Sequence, residues 1–486
     1  MRFVGVFLCL IALGCGGSQA QNPSPQPPPR NGEGEKQRSL APPLPVGEGA
    51  GGRGATPLPD PPTRKSGSDW PVFLGPTGDS VSSEKGILSP WPEKGPRIVW
   101  HKEIGTGYAM PVISRGRLFL FDRQGTRATL NCWKSETGEP LWKFDYPTDY
   151  RDMYGYNGGP RCCPVVDDDR VYIYGVEGML HCVRVADGKP VWKVDTRAEF
   201  GVVQNFFGVG STPVVEGDLL IVQVGGSPKG SERQDFADLK GNGSGVVAFD
   251  KLTGKVRYKI TDELASYASP VLATINGRRW CFVLARGGLI GFEPASGKVD
   301  FHFPWRAESL ESVSAANPVV VGDQVFISET YGPGGALLQV RPGGHKVLWT
   351  DAEKRRDKSM QCHWMTPIYK DGYLYGCSGR HENADLRCIE LATGKVMWRQ
   401  QRLLRTSLLM VDGHFVCLSE EGILYLLKVN PQRYEEVSRV ELREAAGKEP
   451  LLREPCWAAP ILAHGLLYVR GNDRLVCLEL IPAKKE

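Results

Sequence analysis

The sequence predicts an all-β fold built from eight repeats, and three observations support this prediction. From Trp70 onward the chain repeats one pattern about every 50 residues: a proline, then short apolar runs separated by turns. The runs are rich in β-branched and aromatic residues, as in 170–174 (RVYIY). Helical periodicity is missing from the repeats. Repetition at this period, with short strands, indicates a β-propeller or a β-solenoid.

Each repeat has an anchor position at the start of its first apolar run. The anchor is a proline in every repeat except the seventh, where a leucine replaces it. The eight anchors are Pro111, Pro164, Pro213, Pro270, Pro318, Pro367, Leu408 and Pro460.

Six repeats end in a similar segment of eleven residues, which runs from a small residue through a turn to an aromatic residue. Glycine in the turn allows the positive φ of a tight hairpin, and the flat terminal ring is suited to packing between neighbouring sheets. The segments are Cys132–Trp142, Cys182–Trp192, Ala248–Tyr258, Gly291–Phe301, Gln339–Trp349 and Cys388–Trp398.

This segment resembles the tryptophan-docking repeat of the quinoprotein-like propellers, which carry PQQ-like repeats. That family includes quinone-dependent alcohol dehydrogenases and the lipoprotein of the outer-membrane protein assembly machine. The resemblance extends from about residue 97 to the C-terminus and implies eight four-stranded blades around a central channel. Residues 69–76 (DWPVFLGP) also resemble the opening of uncharacterised exported bacterial proteins of this family. The repeat itself does not decide between catalysis and binding, because members of both kinds share it.

The two ends of the repeat region complement each other. The eighth repeat stops at 477–480 (CLEL) before it reaches a docking tryptophan, whereas 97–100 (RIVW) is such an ending without a repeat. We therefore expect this N-terminal strand to complete the last blade and close the ring, which removes exposed sheet edges. The prediction is an eight-bladed β-propeller over residues 69–486.

The N-terminal region predicts export. Residues 1–20 form a signal peptide in which Arg2 precedes an apolar run too short to span a bilayer permanently. Two processing sites compete: 12–15 (ALGC) resembles a lipobox that would lipidate Cys15, and 18–20 (SQA) resembles an ordinary cleavage site. Residues 21–68 alternate Pro-rich and Gly-rich stretches and predict a disordered linker. We expect an extracytoplasmic protein of the periplasm or outer membrane, lipid-anchored or otherwise secreted.

Charge and hydropathy argue against a nucleic-acid partner and against a membrane-spanning helix. The net charge of +4 over 486 residues provides no strong field for nucleic acid. No later apolar stretch reaches the length of a membrane-spanning helix, so we expect membrane contact only through a lipid on Cys15.

The cysteines predict buried small side chains rather than a disulfide framework. Four of them occupy the same slot in different repeats, too far apart to be bonded: Cys132, Cys182, Cys388 and Cys477. The adjacent Cys162 and Cys163 allow two interpretations. Quinone-dependent alcohol dehydrogenases hold bonded adjacent cysteines against their cofactor, so the resemblance implies a PQQ site with calcium. The same two positions are mostly small in every repeat, so size alone also explains the pair.

The residue three positions before each anchor defines a candidate ligand ring at one mouth of the channel. Aromatic faces and planar cations at these positions are suited to recognition, although the aromatics alternatively pack on each other and plug the channel. The candidates are Tyr108, Arg161, Tyr267, Trp364, Arg405 and Trp457, with Gly210 and Ala315 completing the ring and with Tyr331 and His363 as neighbours.

The leading hypothesis is a non-enzymatic, envelope-tethered propeller that binds a protein or glycan partner through its loop face. No catalytic, cofactor or metal residue is assigned. One alternative is a PQQ-dependent oxidoreductase that uses the channel, although the chain lacks a C-x-x-C-H haem motif and a recognisable calcium-binding set. A second alternative is a structural scaffold in an envelope assembly.

Overall fold

The computed structural model describes residues 60–64, 66–203, 205–310, 312–445 and 447–483. The predicted signal peptide, Cys15 and the predicted linker up to residue 59 lie outside the described residues. Residues 60–64 and 66–68, at the end of that predicted linker, lie against the propeller. For example, Arg64 Nη2 lies 2.7 Å from Glu479 Oε1.

The described residues form eight β-sheets, each with four strands of one blade in antiparallel order. Two strands precede the first blade: β1 (Val81–Ser82) and β2 (Arg97–Glu103). Blades 1 and 2 contain β3 (Val112–Ser114), β4 (Arg117–Gln124), β5 (Arg127–Lys134), β6 (Pro140–Pro147), β7 (Val165–Asp167), β8 (Arg170–Tyr174), β9 (Met179–Arg184) and β10 (Pro190–Asp195). Blades 3 and 4 contain β11 (Val214–Glu216), β12 (Leu219–Gln223), β13 (Val246–Asp250), β14 (Val256–Ile260), β15 (Val271–Ile275), β16 (Arg278–Leu284), β17 (Gly288–Glu293) and β18 (Lys298–Pro304).

Blades 5 and 6 contain β19 (Val319–Val321), β20 (Gln324–Glu329), β21 (Gly334–Arg341), β22 (Gly344–Thr350), β23 (Ile368–Lys370), β24 (Tyr373–Ser378), β25 (Asp385–Glu390) and β26 (Val396–Gln400). Blades 7 and 8 contain β27 (Thr406–Val411), β28 (His414–Ser419), β29 (Ile423–Lys428), β30 (Glu436–Glu441), β31 (Ile461–Ala463), β32 (Leu466–Arg470) and β33 (Arg474–Glu479). Helix is limited to α1 (Thr196–Phe200) and two 3₁₀ turns at Ser231–Arg233 and His381–Asn383 within the described ranges.

The ring closes as the two chain ends predict. Strand β2 pairs antiparallel with β33 and supplies the fourth strand of blade 8, with Trp100 opposite Cys477. The same pairing of an aromatic residue with a small one recurs inside other blades, for example Trp142 with Cys132 and Trp398 with Cys388. An eight-bladed propeller closed by an N-terminal strand is therefore confirmed.

The docking aromatic of one blade packs into the hairpin turn of the next. The indole of Trp142 donates a hydrogen bond to Val185 O at 3.0 Å. A Cβ at Gly188, which has φ +69°, would come within 2.5 Å of that indole, so this glycine supplies both the turn and the space. Equivalent bonds to the next blade come from Trp100, Trp192, Tyr258, Trp349 and Trp398.

A belt of hydrogen bonds also joins neighbouring blades near the channel. The residue before one anchor donates its backbone N–H to the side chain of the residue before the next anchor. The bonds run from Met110 to Cys163 Sγ (3.2 Å), Cys163 to Thr212 Oγ1 (3.1 Å), Thr212 to Ser269 Oγ (2.9 Å), Ser269 to Asn317 Oδ1 (2.8 Å) and Asn317 to Thr366 Oγ1 (2.9 Å). In blades 2 to 6 this slot therefore holds a side chain that accepts a hydrogen bond from the preceding blade.

Two blades depart from the repeat as read in the sequence. In blade 5 the residue opposite Trp349 is Leu337, not Gln339, because the hairpin between β21 and β22 is two residues longer. In blade 7 no aromatic docks: Ser438 occupies that position opposite Leu426, and the buried Trp91 donates its backbone N–H to Ser438 Oγ at 2.9 Å. Strand β27 also begins before Leu408, because no proline there limits backbone pairing.

Residues 69–82, which we call the floor segment, cross the channel at the end where the first strands of the blades finish. Trp70 forms a β-bridge with Ile113 of blade 1, and Pro71 O accepts from Val166 N of blade 2 at 3.0 Å. Strand β1, at the other end of the segment, pairs in parallel with β27 of blade 7. The floor segment therefore spans the channel from blades 1 and 2 to blade 7.

Among the described residues, no helix is long and apolar enough to cross a membrane.

Candidate functional site

The eight ring positions converge on one cavity in the channel. Each lies on the connection that leads from the outermost strand of one blade to the first strand of the next, so the repeat places all eight at the same level. The cavity has a volume of about 230 Å³. Its lining includes Tyr108, Arg161, Gly210, Tyr267, Ala315, Trp364, Arg405 and Trp457, and also Tyr331 and His363.

Aromatic rings form a continuous wall along one side of the cavity. The Trp457 ring lies 4.7 Å from Tyr108 and 4.8 Å from Trp364, measured between centroids, and His363 lies 4.6 Å from Trp364. On the opposite side, Tyr267 accepts a hydrogen bond from Phe207 N at 2.8 Å. The rings pack on each other, as expected if they plug the channel. They still leave a cavity, as expected if they form a ligand ring.

Both arginines of the ring are paired with carboxylates behind the wall. Arg161 Nη2 lies 2.8 Å from Asp152 Oδ2. Arg405 Nε lies 2.7 Å from Glu420 Oε2, and the Trp457 indole donates to Glu420 Oε1 at 2.7 Å. The lining itself contains no carboxylate within the described residues. These pairs neutralise the guanidinium charges, so the cavity presents aromatic faces with little net charge.

The Arg405 guanidinium contacts two of the rings, which also pack against each other. Its Cζ lies 4.8 Å from the centroid of Trp364 and 5.1 Å from that of Trp457. This arrangement fixes both tryptophans in place through cation–π contacts. The arginine therefore organises the aromatic wall instead of extending into the cavity.

Burial favours the uncharged form of several titratable groups of the lining. Burial, with Arg405 and Arg380 nearby, lowers the pKa of His363 to about 3. Burial raises the pKa of Tyr108 and Tyr267 above the ordinary tyrosine value. Burial also raises the pKa of Cys163 to about 12, so this thiol stays protonated.

The cysteine pair has a structural explanation. Cys163 lines the cavity and accepts the belt hydrogen bond from Met110 N, at the position where other blades carry Ser, Thr or Asn. Cys162 packs away from the cavity with Val165 and Tyr172, and its thiol donates to Ser211 O at 3.3 Å. All eleven cysteines of the described residues are free thiols and buried.

The donor set of the cavity does not fit calcium-assisted binding of PQQ. Calcium takes about six to eight oxygen ligands, usually including carboxylates. The described lining offers the hydroxyl groups of Ser80, Thr366, Ser407 and the tyrosines, but no carboxylate. No group of three or more His, Cys, Asp or Glu side chains suited to a metal ion occurs in the described part of the chain.

The residues that form the floor of the cavity were not among the predicted site residues. Phe73, Leu74 and Ser80 of the floor segment line it, so the channel is closed at this end. Trp70 is 1% exposed and lies beside Gly75, where a Cβ would come within 2.7 Å of the indole. The DWPVFLGP motif is the sequence signal for this floor. It lies outside the repeats, so the repeat alignment does not show where it lies in the fold.

The mouth of the cavity carries exposed apolar side chains. The rim loop, residues 148–163, places Met153, Tyr154 and Tyr156 at the surface with exposures of 59%, 40% and 43%. Tyr156 reaches across the mouth, 5.8 Å from Trp457 and 5.7 Å from Phe207 between centroids.

One buried carboxylate holds the rim loop in shape. Asp152 accepts hydrogen bonds from the backbone N–H groups of Tyr154 (3.0 Å) and Tyr156 (3.1 Å) while it pairs with Arg161. The loop that presents the rim tyrosines is thereby tied directly to the ring.

A family model described as outer membrane protein assembly factor BamB (PQQ_2) matches residues 137–400, more than half of the chain. The chain belongs to this family of PQQ-repeat propellers. No curated protein matches the sequence.

Two solved structures illustrate the shared fold. BamB from Moraxella catarrhalis is 12% identical with a TM-score of 0.53, covering 80% of this chain and 99% of its own. Quinohemoprotein alcohol dehydrogenase from Comamonas testosteroni is 11% identical with a TM-score of 0.57, covering 86% of this chain and 82% of its own. At this identity the two likenesses show the fold alone.

Proposed function

We propose that this propeller is an extracytoplasmic binding module that captures a protein partner on its loop face. The partner inserts one ring-shaped, uncharged side chain into the channel cavity. The observation that carries the proposal is a closed, aromatic, charge-paired cavity whose mouth is surrounded by exposed Met and Tyr side chains.

The size of the cavity favours a single inserted group. Cavities that bind drug-sized ligands measure roughly 300–1,000 Å³, whereas this one measures about 230 Å³. One aromatic side chain or one sugar ring matches the smaller volume, and its faces stack on Trp364 and Trp457. The paired arginines leave no cation available to attract an acidic group.

The rim favours a protein over a glycan as the source of that ring. Methionine and aromatic residues are enriched at the centres of protein interfaces, and Met153, Tyr154 and Tyr156 are exposed together beside the cavity. Membership in the BamB family is consistent with a protein partner in the cell envelope. A glycan that stacks one sugar on the same wall is the competing outcome.

Site-specific photo-crosslinking tests this proposal. A photoreactive amino acid at Tyr154 should crosslink a partner in envelope fractions, whereas the same group at Leu252 should not. Leu252 is a matched control, since it is also an exposed apolar residue but lies in the outer hairpin turn of blade 3. Adding Trp364→Ala should abolish the Tyr154 crosslink by removing one face of the cavity.

The nature of the crosslinked product separates the candidates. A product that is degraded by protease supports a protein partner, whereas one degraded only by glycosidases contradicts it in favour of a glycan. Equal crosslinking from Leu252, or a Tyr154 crosslink that survives Trp364→Ala, would refute the role of the cavity.

A further inference from the structure

An arginine between blades 3 and 4 is buried without a carboxylate partner. Arg286 follows β16, and its backbone N–H donates to Leu264 O at 3.0 Å. The residue is only 5% exposed. The long connection between β12 and β13 covers it, with the Phe236 ring 3.9 Å from its Cζ. Its stem is therefore fixed and its position well defined.

Three of the other four buried arginines of the described residues have a carboxylate partner. Arg117, Arg387 and Arg405 each form an ion pair, with Asp60, Asp385 and Glu420 respectively. Arg470 donates to the carbonyl groups of Ala109 and Gly105.

Arg286 makes one long side-chain bond, from Nη2 to Phe236 O at 3.4 Å, and its Nε, like that of Arg470, has no partner. A buried guanidinium with so little compensation is costly for the folded protein. A ligand that supplies negative charge would remove this cost.

Arg286 faces a second, open cavity that is separate from the channel cavity. This cavity has a volume of about 460 Å³ and is also lined by the exposed Lys240 and Arg306. Neither of these two side chains forms an ion pair with any residue that the structure describes. Burial and the nearby Arg306 lower the pKa of Arg286 to about 10, so it remains charged at neutral pH.

The carboxylates of this cavity have other hydrogen-bond partners, although Glu263 also lies near enough to Arg286 to raise the pKa of that guanidinium. Glu263 lies 2.7 Å from His302 Nε2 and accepts from Gly287 N at 2.7 Å. Asp262 accepts from Gly243 N at 2.7 Å. Three cations and two carboxylates give the cavity a positive balance.

We infer that Arg286, Arg306 and Lys240 form a binding site for an oxyanion, a carboxylate or phosphate group. The planar guanidinium of Arg286 would bind two oxygens of the group side by side. Arg306 and Lys240 would add charge from the exposed side, where the ligand enters. The site is separate from the aromatic ring positions of the channel.

Calorimetric titration of the full chain with inorganic phosphate, and separately with acetate, tests this site at constant ionic strength. Wild type should bind at least one of the two anions. Arg286→Met should lose measurable binding, and Arg306→Gln should weaken it by about fivefold, as expected for one partly exposed charge. Arg257→Gln is the matched control and should bind as wild type does, since Arg257 is an exposed arginine on the outer strand of blade 3, paired with Asp250.

The melting temperature without added oxyanion gives a second readout. Arg286→Met should melt at or above the wild-type temperature in chloride, because the substitution removes an unpaired buried charge. If this variant fails to fold, the difference in anion affinity between Arg306→Gln and Arg257→Gln still tests whether the site binds an oxyanion. Wild type that binds neither anion, or Arg286→Met that binds as tightly as wild type, would overturn the proposal.

Discussion

The two ends of the channel cavity differ in how their residues are held. At the floor, Trp70 and Leu74 are buried, and backbone hydrogen bonds tie the segment to blades 1, 2 and 7. At the mouth, the rim loop exposes Met153 and Tyr156 and is held by side-chain hydrogen bonds, among them those that Asp152 accepts. The floor therefore contributes mainly to stability, whereas the mouth exposes apolar surface, which the proposed function assigns to partner binding.

Removing β2 tests the closure on which both ends depend, and it has the largest expected effect. A chain that begins at residue 104 lacks the outer strand of blade 8 and Trp100, whose indole donates to Ser135 O of blade 1. We expect no cooperative thermal transition by circular dichroism, because the ring is left with an open edge. A chain that begins at residue 97 loses the floor segment but keeps β2, and it should fold with reduced stability. Equal melting of the two chains would contradict the role assigned to β2.

Substitutions at the two ends compare floor and mouth directly. Trp70→Ala should lower the free energy of unfolding by about 3–5 kcal/mol, the usual cost of removing a large buried ring. Tyr156→Ala should have a much smaller effect, of no more than about 1 kcal/mol, because that side chain lies at the surface and is 43% exposed. Urea denaturation measures both values. If Tyr156→Ala proved as destabilising as Trp70→Ala, the division between a stabilising floor and a recognition mouth would be wrong.

The same two ends differ in how far the sequence predicts them. The mouth ring was predictable because its residues keep one offset from the anchors, so that alignment alone brings Tyr108 and Trp457 together. The position of the floor segment was not predictable, since the segment occurs once and no repeat shows where it lies. The ion pairs behind the ring were also missed, because Asp152 and Glu420 lie at different offsets in their repeats. The Gln339 assignment failed for a related reason: a fixed offset from Trp349 cannot allow for a hairpin that is two residues longer.

A buried glutamate near the mouth makes stability depend on pH. Glu329 accepts hydrogen bonds from Tyr331 N, Gly332 N and Ser312 Oγ, and Arg380 lies nearby. Burial nevertheless raises its pKa from 4.5 to about 7. The folded state therefore binds this proton more tightly than the unfolded state.

Stability associated with Glu329 should be fully present below pH 4.5 and lost as the pH rises to about 7. The loss should approach about 3 kcal/mol. Glu329→Gln should remove this part of the pH dependence, which urea denaturation across the pH range measures. An unchanged slope between pH 4.5 and 7 in the variant would assign the effect to another group.

A histidine at the floor should produce a smaller effect in a different pH window. His464 Nε2 lies 2.9 Å from Asp69 Oδ1, at the start of the floor segment. The hydrogen bond that His464 donates to Asp69 raises the pKa of His464 above 6.5, and the carboxylate pKa of Asp69 is lowered. Stability from the protonated histidine is present below pH 6.5 and is lost as the pH rises through the folded pKa. The pair is partly exposed, so its contribution should not exceed about 1 kcal/mol.

His464→Gln should remove the histidine's part of the loss of stability above pH 6.5 and leave the Glu329 slope between pH 4.5 and 6.5 unchanged. The two substitutions therefore separate the pH responses of floor and mouth, provided that both are measured in the same buffer series. If His464→Gln altered the slope below pH 6.5 instead, the floor and the mouth would be coupled through the ring. The floor and the mouth would then have to be treated as one cooperative unit.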